Sequence, residues 1–282
     1  MAELSSIQYA HGTGEGPTWI IALDIDGTVL DYDGELAPAV RDAVVAAQRA
    51  GHEIVLASGR DLVGMLPVAE QLGLTEGWMV CSNGCVIVRL DPDFGAGYWI
   101  EQVSTFDAAP VLRELVDKLP SARFAVEVIG HGYRVTELFN DGELAGNFEV
   151  VAPENLLKSG MVTRVIVRGG DETPEDFSRA IAALGLNDVA YFIGFNAWMD
   201  IAPHGVSKAS ALEHVRQRLE IPSERTMAVG DGHNDIEMIQ WAARGIAMGQ
   251  ADLEVRLATD EVTAPVTKDG LAQALRPLLP NR

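Results

Sequence analysis

The chain has 282 residues, 48% hydrophobic and 22% charged, with a formal charge of −20. So much apolar material can fill one large domain or two modest ones, while an acidic field of this size disfavours nucleic acid and anionic membranes as partners. Any bound phosphate must therefore find its positive charge locally.

The first 17 residues carry neither a basic start nor an apolar segment of signal-peptide type, and the apolar run at 19–23 is too short to span a bilayer. A soluble cytoplasmic protein is expected. The glycine-rich Gly12-Thr-Gly-Glu-Gly16 mimics a phosphate loop but precedes the first strand, so it reads as a flexible lead-in. Residues 19–23 form a first strand, 38–50 an amphipathic helix and 53–57 a second strand, which together read as a parallel βαβ unit. A helix at 61–72 and a strand at 78–81 extend it. Cys81 and Cys85, the only cysteines, read as small apolar side chains in a reducing compartment.

From about 86 to 200 the pattern changes. Candidate strands at 86–90, 98–103, 124–129, 134–138, 162–167, 189–193 and 197–201 outnumber helices at 108–119 and 174–184. Alternation then resumes with a helix at 207–219, a strand at 225–229, a helix at 235–243 and a strand at 245–248. The expected architecture is an α/β fold: a Rossmann-like parallel-sheet core, residues 1–85 and 201–282, with an inserted α+β cap domain over 86–200.

Four motifs sit at strand ends. Asp24-Ile-Asp26-Gly-Thr28 follows the first strand, and the period of two places both carboxylates on one side of the chain. Two acids that close call for a bound cation or a division of catalytic labour; a solvated turn is the plain alternative. Ala57-Ser58-Gly59-Arg60 closes the second strand, so Ser58 and the amides beyond it point into the same crevice, although Ser is also an ordinary helix N-cap. Gly205-Val-Ser-Lys208 precedes a helix, and Lys208 is one of four lysines beside 17 arginines, which suits a compact charge aimed at a phosphoryl oxygen as well as a solvated helix start. Gly230-Asp231-Gly-His-Asn234-Asp235 ends a third strand with oxygen ligands for a hard cation.

These segments, with Ser-Asn83-Gly84 between them, resemble the haloacid dehalogenase superfamily, specifically the Cof-type phosphatases with a class IIB cap. The resemblance covers about 20–86 and 200–275; in between it rests on cap size and element order. It implies a Mg²⁺-dependent phosphatase acting on a small phosphorylated metabolite such as a sugar phosphate through an aspartyl-phosphate on Asp24. Asp26 would be the general acid and base, and Ser58, Gly59, Lys208 and Asn234 would hold phosphate. Mg²⁺ would be bound by the Asp24 carboxylate, the Asp26 main-chain carbonyl and Asp231, with Asp235 and Thr28 supporting that shell. A phosphomutase of the phosphomannomutase type shares both acids and is the alternative, followed by a non-catalytic phosphate-binding protein. For the leaving group the cap offers His131, Tyr133, Arg134, Arg164, Asn196 and Trp198, with Arg134, Arg164 and Arg168 the nearest thing to a basic cluster.

Overall fold

The computed structural model describes residues 17–140, 142–170, 173–184, 189–194 and 197–279. β1 (Ile20–Leu23) is buried along its whole length. α1 (Pro38–Arg49) opens on Pro38, whose ring fixes a helical φ, and packs through Val40, Ala43, Val44 and Ala47. β2 (Glu53–Ala57) lies parallel to β1 with Ile54 opposite Ile21. α2 (Leu62–Leu72) is capped by Asp61, whose carboxylate accepts the Gly64 amide at 2.7 Å. β3 (Gly77–Cys81) continues the parallel sheet, and β4 (Val86–Leu90) and β5 (Tyr98–Val103) turn back antiparallel on it.

The cap runs through β6 (Phe106–Asp107), α3 (Ala109–Lys118), β7 (Arg123–Val128), β8 (Gly132–Val135), β9 (Asn147–Val150), α4 (Pro153–Leu156), β10 (Met161–Val162), β11 (Val165–Arg168), α5 (Pro174–Leu184), β12 (Val189–Gly194) and β13 (Trp198–Pro203). Its main sheet has the order β12-β13-β11-β7-β8-β9, and β10 pairs with β6 apart from it. One face packs on the cap helices through Leu112, Leu115, Phe124, Val165, Phe177 and Ile181. The chain then returns to the core as α6 (Lys208–Arg218), β14 (Thr226–Gly230), α7 (Ile236–Trp241), β15 (Arg244–Ala247), α8 (Leu253–Leu257), β16 (Glu261–Val262) and α9 (Gly270–Leu275).

The core sheet has the order β16-β15-β14-β1-β2-β3-β4-β5. Ile21 and Leu23 pack in one core with Val44, Met65 and Leu271, while Ile20 and Ala22 pack in another with Leu212, Val215 and Met238. Helices cover both faces, which is why β1 reads as a continuous apolar run without alternation.

The domain boundary expected at residue 86 moves. β4 is hydrogen-bonded to β3 and β5 to β4, and Val86, Ile87 and Val88 are buried in the core clusters. The first core segment therefore runs through Val103. An antiparallel pair at the edge of a parallel sheet looks, in sequence, like the start of the strand-rich cap. At the other end β13 keeps its cap pairing through Pro203, three residues past the expected limit at 200. The single strand expected at 162–167 is two strands, β10 and β11, in different sheets. β9, absent from the expected strands, is short and has all four residues exposed. The sequence 12–16 and Asn196 lie outside the described residues. Among the described residues no helix is long and apolar enough to cross a membrane.

Candidate active site

Asp24 extends β1 by one residue, its amide donating to the Val229 carbonyl at 3.0 Å. The chain then turns at Gly27, φ 79°, where a Cβ would overlap the Asp231 carboxylate. Glycine is required there twice, for the backbone and for the approach. Asp24 is buried, whereas the Asp26 side chain is 52% exposed at the mouth of the crevice.

Lys208 occupies the first position of α6, set by the cap at Ser207. The Ser207 hydroxyl accepts the Ser210 amide at 3.4 Å and the Ser207 amide donates to Ser210 Oγ at 2.9 Å. The buried Lys208 ammonium donates to Asp24 Oδ1 at 2.7 Å and to Asp235 Oδ1 at 2.6 Å. Asp235 Oδ2 accepts the amides of Asp231 and Gly232 at 3.0 and 2.9 Å, fixing the loop after β14. Asp231 Oδ2 in turn accepts the Tyr32 hydroxyl at 2.5 Å and Gln250 Nε2 at 3.2 Å. Gln250 also donates to the Gly27 carbonyl at 2.7 Å and accepts the Val266 amide at 2.9 Å, so it joins three loops.

Carboxylate oxygens of Asp24, Asp231 and Asp235 lie within 4.8 Å of one another. Three carboxylates against one ammonium leave two negative charges uncompensated, a deficit that a divalent cation fills. Asp235 is engaged by Lys208 and two amides, so the oxygens left for an ion are those of Asp24 and Asp231. An all-oxygen donor set fits a hard cation such as Mg²⁺. Burial and the neighbouring Asp235 push the Asp24 carboxyl well above the ordinary carboxylate range, against the pull of Lys208. Burial also raises Asp231. Burial opposes the Lys208 charge, but Asp235 and Asp24 outweigh it and hold the ammonium. Tyr32 is pushed up to about 12 by burial and by Asp231, so it remains a donor at neutral pH.

Ser58 and Gly59 follow β2 at the same sheet end. The Ser58 hydroxyl accepts the Arg60 amide at 3.1 Å and keeps its own hydrogen to give. Arg60 grips Asp26 with a fork, Nη2 to Oδ1 at 2.6 Å and Nε to Oδ2 at 3.0 Å. Asn83, in the left-handed region at φ 54°, accepts Asn234 Nδ2 at 2.9 Å.

The cap closes the crevice with a buried polar cluster. Arg164 Nη1 donates to the Gly59 carbonyl at 2.5 Å and to Asp200 Oδ1 at 3.3 Å, and Nη2 donates to the Tyr133 hydroxyl. Glu127 lies 3.3 Å from Arg164 Nε and accepts Ser82 Oγ at 2.7 Å. Core and cap line an open cavity of about 1060 Å³.

Asp24, Asp26, Ser58, Gly59, Asp231 and Asn234 line that cavity, with Lys208 and Asp235 bonded behind Asp24 and the Asp231 loop. Thr28 is fully buried, and its hydroxyl has no hydrogen-bond partner among the described residues. Of the cap candidates Tyr133, Arg164 and Trp198 line the cavity; His131 and Arg134 do not, and Arg134 is exposed in a 3.0 Å pair with Glu149. Sequence reasoning left Arg60 without a role although it stood inside a motif. Tyr32, Gln250, Glu127 and Asp200 had no local signal, since each acts through a contact far along the chain.

The profile described as haloacid dehalogenase-like hydrolase matches residues 21–275. The 5-amino-6-(5-phospho-D-ribitylamino)uracil phosphatase YcsE of Bacillus subtilis is 29% identical over 259 residues, covering 91% of this chain and 94% of its own. Phosphatase YwpJ of the same organism is 27% identical over 293 residues, covering 92% and 99%. Among solved structures, the subclass IIB sugar phosphatase BT4131 superposes with a TM-score of 0.76 at 22% identity, over 92% of this chain and 98% of its own.

Proposed function

This chain belongs to the haloacid dehalogenase-like hydrolases and acts on phosphate esters, and we propose that it hydrolyses the monoester of a small metabolite in two displacements at Asp24. The observation that carries this reading is the Asp24 carboxylate at a strand end, held by a buried lysine and opening on a cavity that Asp26 also lines.

In the first displacement an Asp24 oxygen attacks phosphorus in line, the ester P–O bond breaks, and protonated Asp26 gives its proton to the departing oxygen. In the second, Asp26 takes a proton from water as the water oxygen attacks the aspartyl-phosphate, and inorganic phosphate leaves Asp24. Lys208 and the Ser58 hydroxyl offset charge on the phosphoryl oxygens, and Asn234 lies at the same rim. Asp24, the Asp26 main-chain carbonyl and Asp231 would hold Mg²⁺, which would supply the remaining positive charge. Arg60 sets the rest position of Asp26, which must loosen one arm of that fork to reach a leaving group.

The metabolite class is supported by the cavity, which has room for a leaving group of sugar or polyol size, and by YcsE, whose named substrate is a phosphorylated ribityl compound. Phosphate release from a panel of monoesters tests the reading. Asp24→Asn, nearly isosteric but unable to attack phosphorus, is expected to lower kcat by about 10³ or more while keeping the wild-type circular dichroism. Turnover of p-nitrophenyl phosphate by that variant within tenfold of wild type would sink the mechanism.

A further inference from the structure

We propose that the cap side of the cavity selects leaving groups by charge: it accepts neutral or cationic ones rich in hydroxyl or amine donors and rejects those with a second phosphate or a carboxylate. This rests on the phosphatase reading above and adds the substrate class to it.

Beyond Asp24, Asp26 and Asp231 the cavity is lined by four further acids, Asp61, Glu143, Glu175 and Asp200. Among the described residues its lining includes two arginines and no lysine. Arg60 is held by Asp26 through a fork of which at least one arm stays made. Arg164 is committed to the Gly59 carbonyl, Asp200 and the Tyr133 hydroxyl, with Glu127 against its Nε. The two other scattered cap arginines are neutralised as well, Arg134 by Glu149 and Arg168 by Glu143, each at 3.0 Å. His233 lies 3.4 Å from Glu254. The internal residues outside the described set, 141, 171–172, 185–188 and 195–196, contain no Lys, Arg or His.

The positive end of α5 offers no substitute, because Glu175 and Asp176 stand in its first turn. Lys208 and a metal at Asp24 and Asp231 serve the phosphoryl group being transferred. A second anion would therefore enter a partly dry space that is already net negative, where an unmatched like charge is worth about tenfold or more in binding. Hydroxyl and ammonium groups find an acceptor in Glu175, which lines the cavity beside Trp198.

Four esters that share a C6 phosphate test this: glucose 6-phosphate, glucosamine 6-phosphate, 6-phosphogluconate and glucose 1,6-bisphosphate, with p-nitrophenyl phosphate as reference. The expected result is a kcat/KM for the first two that exceeds the last two by about tenfold or more, a gap that narrows at 0.5 M salt. Where an ester turns over too slowly to rank, its inhibition constant against p-nitrophenyl phosphate is read instead. Glu175→Arg should shrink the gap by about tenfold. Equal or reversed preference with p-nitrophenyl phosphate still hydrolysed overturns the charge selection alone, as does a gap unchanged in Glu175→Arg. No phosphate released from any ester, the reference included, overturns the phosphatase reading with it.

Discussion

On the proposed metal role, Asp231 sets stability against function on a single side chain. Its carboxyl is raised by burial and by Asp235, so the folded protein holds that proton more tightly than the unfolded chain does. Ionising it therefore destabilises the metal-free fold, by an amount that is absent below the unfolded value near 3.8 and grows until pH passes the folded value. Asp231→Asn removes that term, and the amide can still accept from Tyr32 and Gln250. In EDTA at pH 7 the variant is expected to melt about 2 °C or more above wild type, with the difference shrinking toward pH 4. In Mg²⁺ the order should invert, since wild type gains a bound ion that the variant holds poorly. A variant that melts below wild type in EDTA would mean that Asp231 carries no uncompensated charge. EDTA should abolish phosphate release by wild type and Mg²⁺ should restore it.

At the level of elements, the site depends on how the turn after β3 meets the start of α6. Ser82 and Asn83 take left-handed φ values of 52° and 54°, and Gly84 follows at 106°. A Cβ on Gly84 would overlap the Ser207 carbonyl, which belongs to the residue that caps α6 and aims Lys208. Gly84→Ala is thus strained in its own backbone and pushes on the lysine's helix. We expect a loss of about 2 kcal/mol or more in urea unfolding together with a fall in kcat. Ser207→Ala removes only the cap and should cost about 1 kcal/mol. If Gly84→Ala were no worse than Ser207→Ala, the close approach would not be what requires glycine. The same turn was visible in sequence as Ser-Asn83-Gly84, but its purpose was not, because α6 lies some 120 residues downstream.

For the molecule as a whole, core and cap are joined across a buried polar seam. Arg164 of the cap donates to the Gly59 carbonyl of the core, Ser82 of the core donates to Glu127 of the cap, and Asn83 Nδ2 lies 3.5 Å from Asp200 Oδ2. Burial raises Glu127 and Asp200 while Arg164 pulls both down. Arg164→Met leaves buried Glu127 and part-buried Asp200 without the cation they share, and it is expected to cost about 3 kcal/mol or more. The triple variant Arg164→Met, Glu127→Gln, Asp200→Asn removes the charges together and should recover much of that loss by thermal unfolding. Failure of the triple variant to exceed the single one would mean that the seam stabilises by shape and not by charge balance.

The sequence by itself determined the α/β core and named Asp24, Asp26, Ser58, Lys208, Asp231 and Asp235 as candidates at strand ends. Asp24 continues β1, Lys208 follows a helix cap and Asp26 stands in the glycine turn beyond the strand, so caps and turns, more than the strand's period, bring them to one end of the sheet. Only the tertiary structure decided that β4 and β5 belong to the core, since a strand's partner is not written in its own pattern. It also decided that Arg60 holds Asp26, that Tyr32 and Gln250 hold Asp231, and that Arg134 and Arg168 of the cap pair with carboxylates. Those pairings depend on groups far apart in the chain meeting in space, which no local pattern encodes.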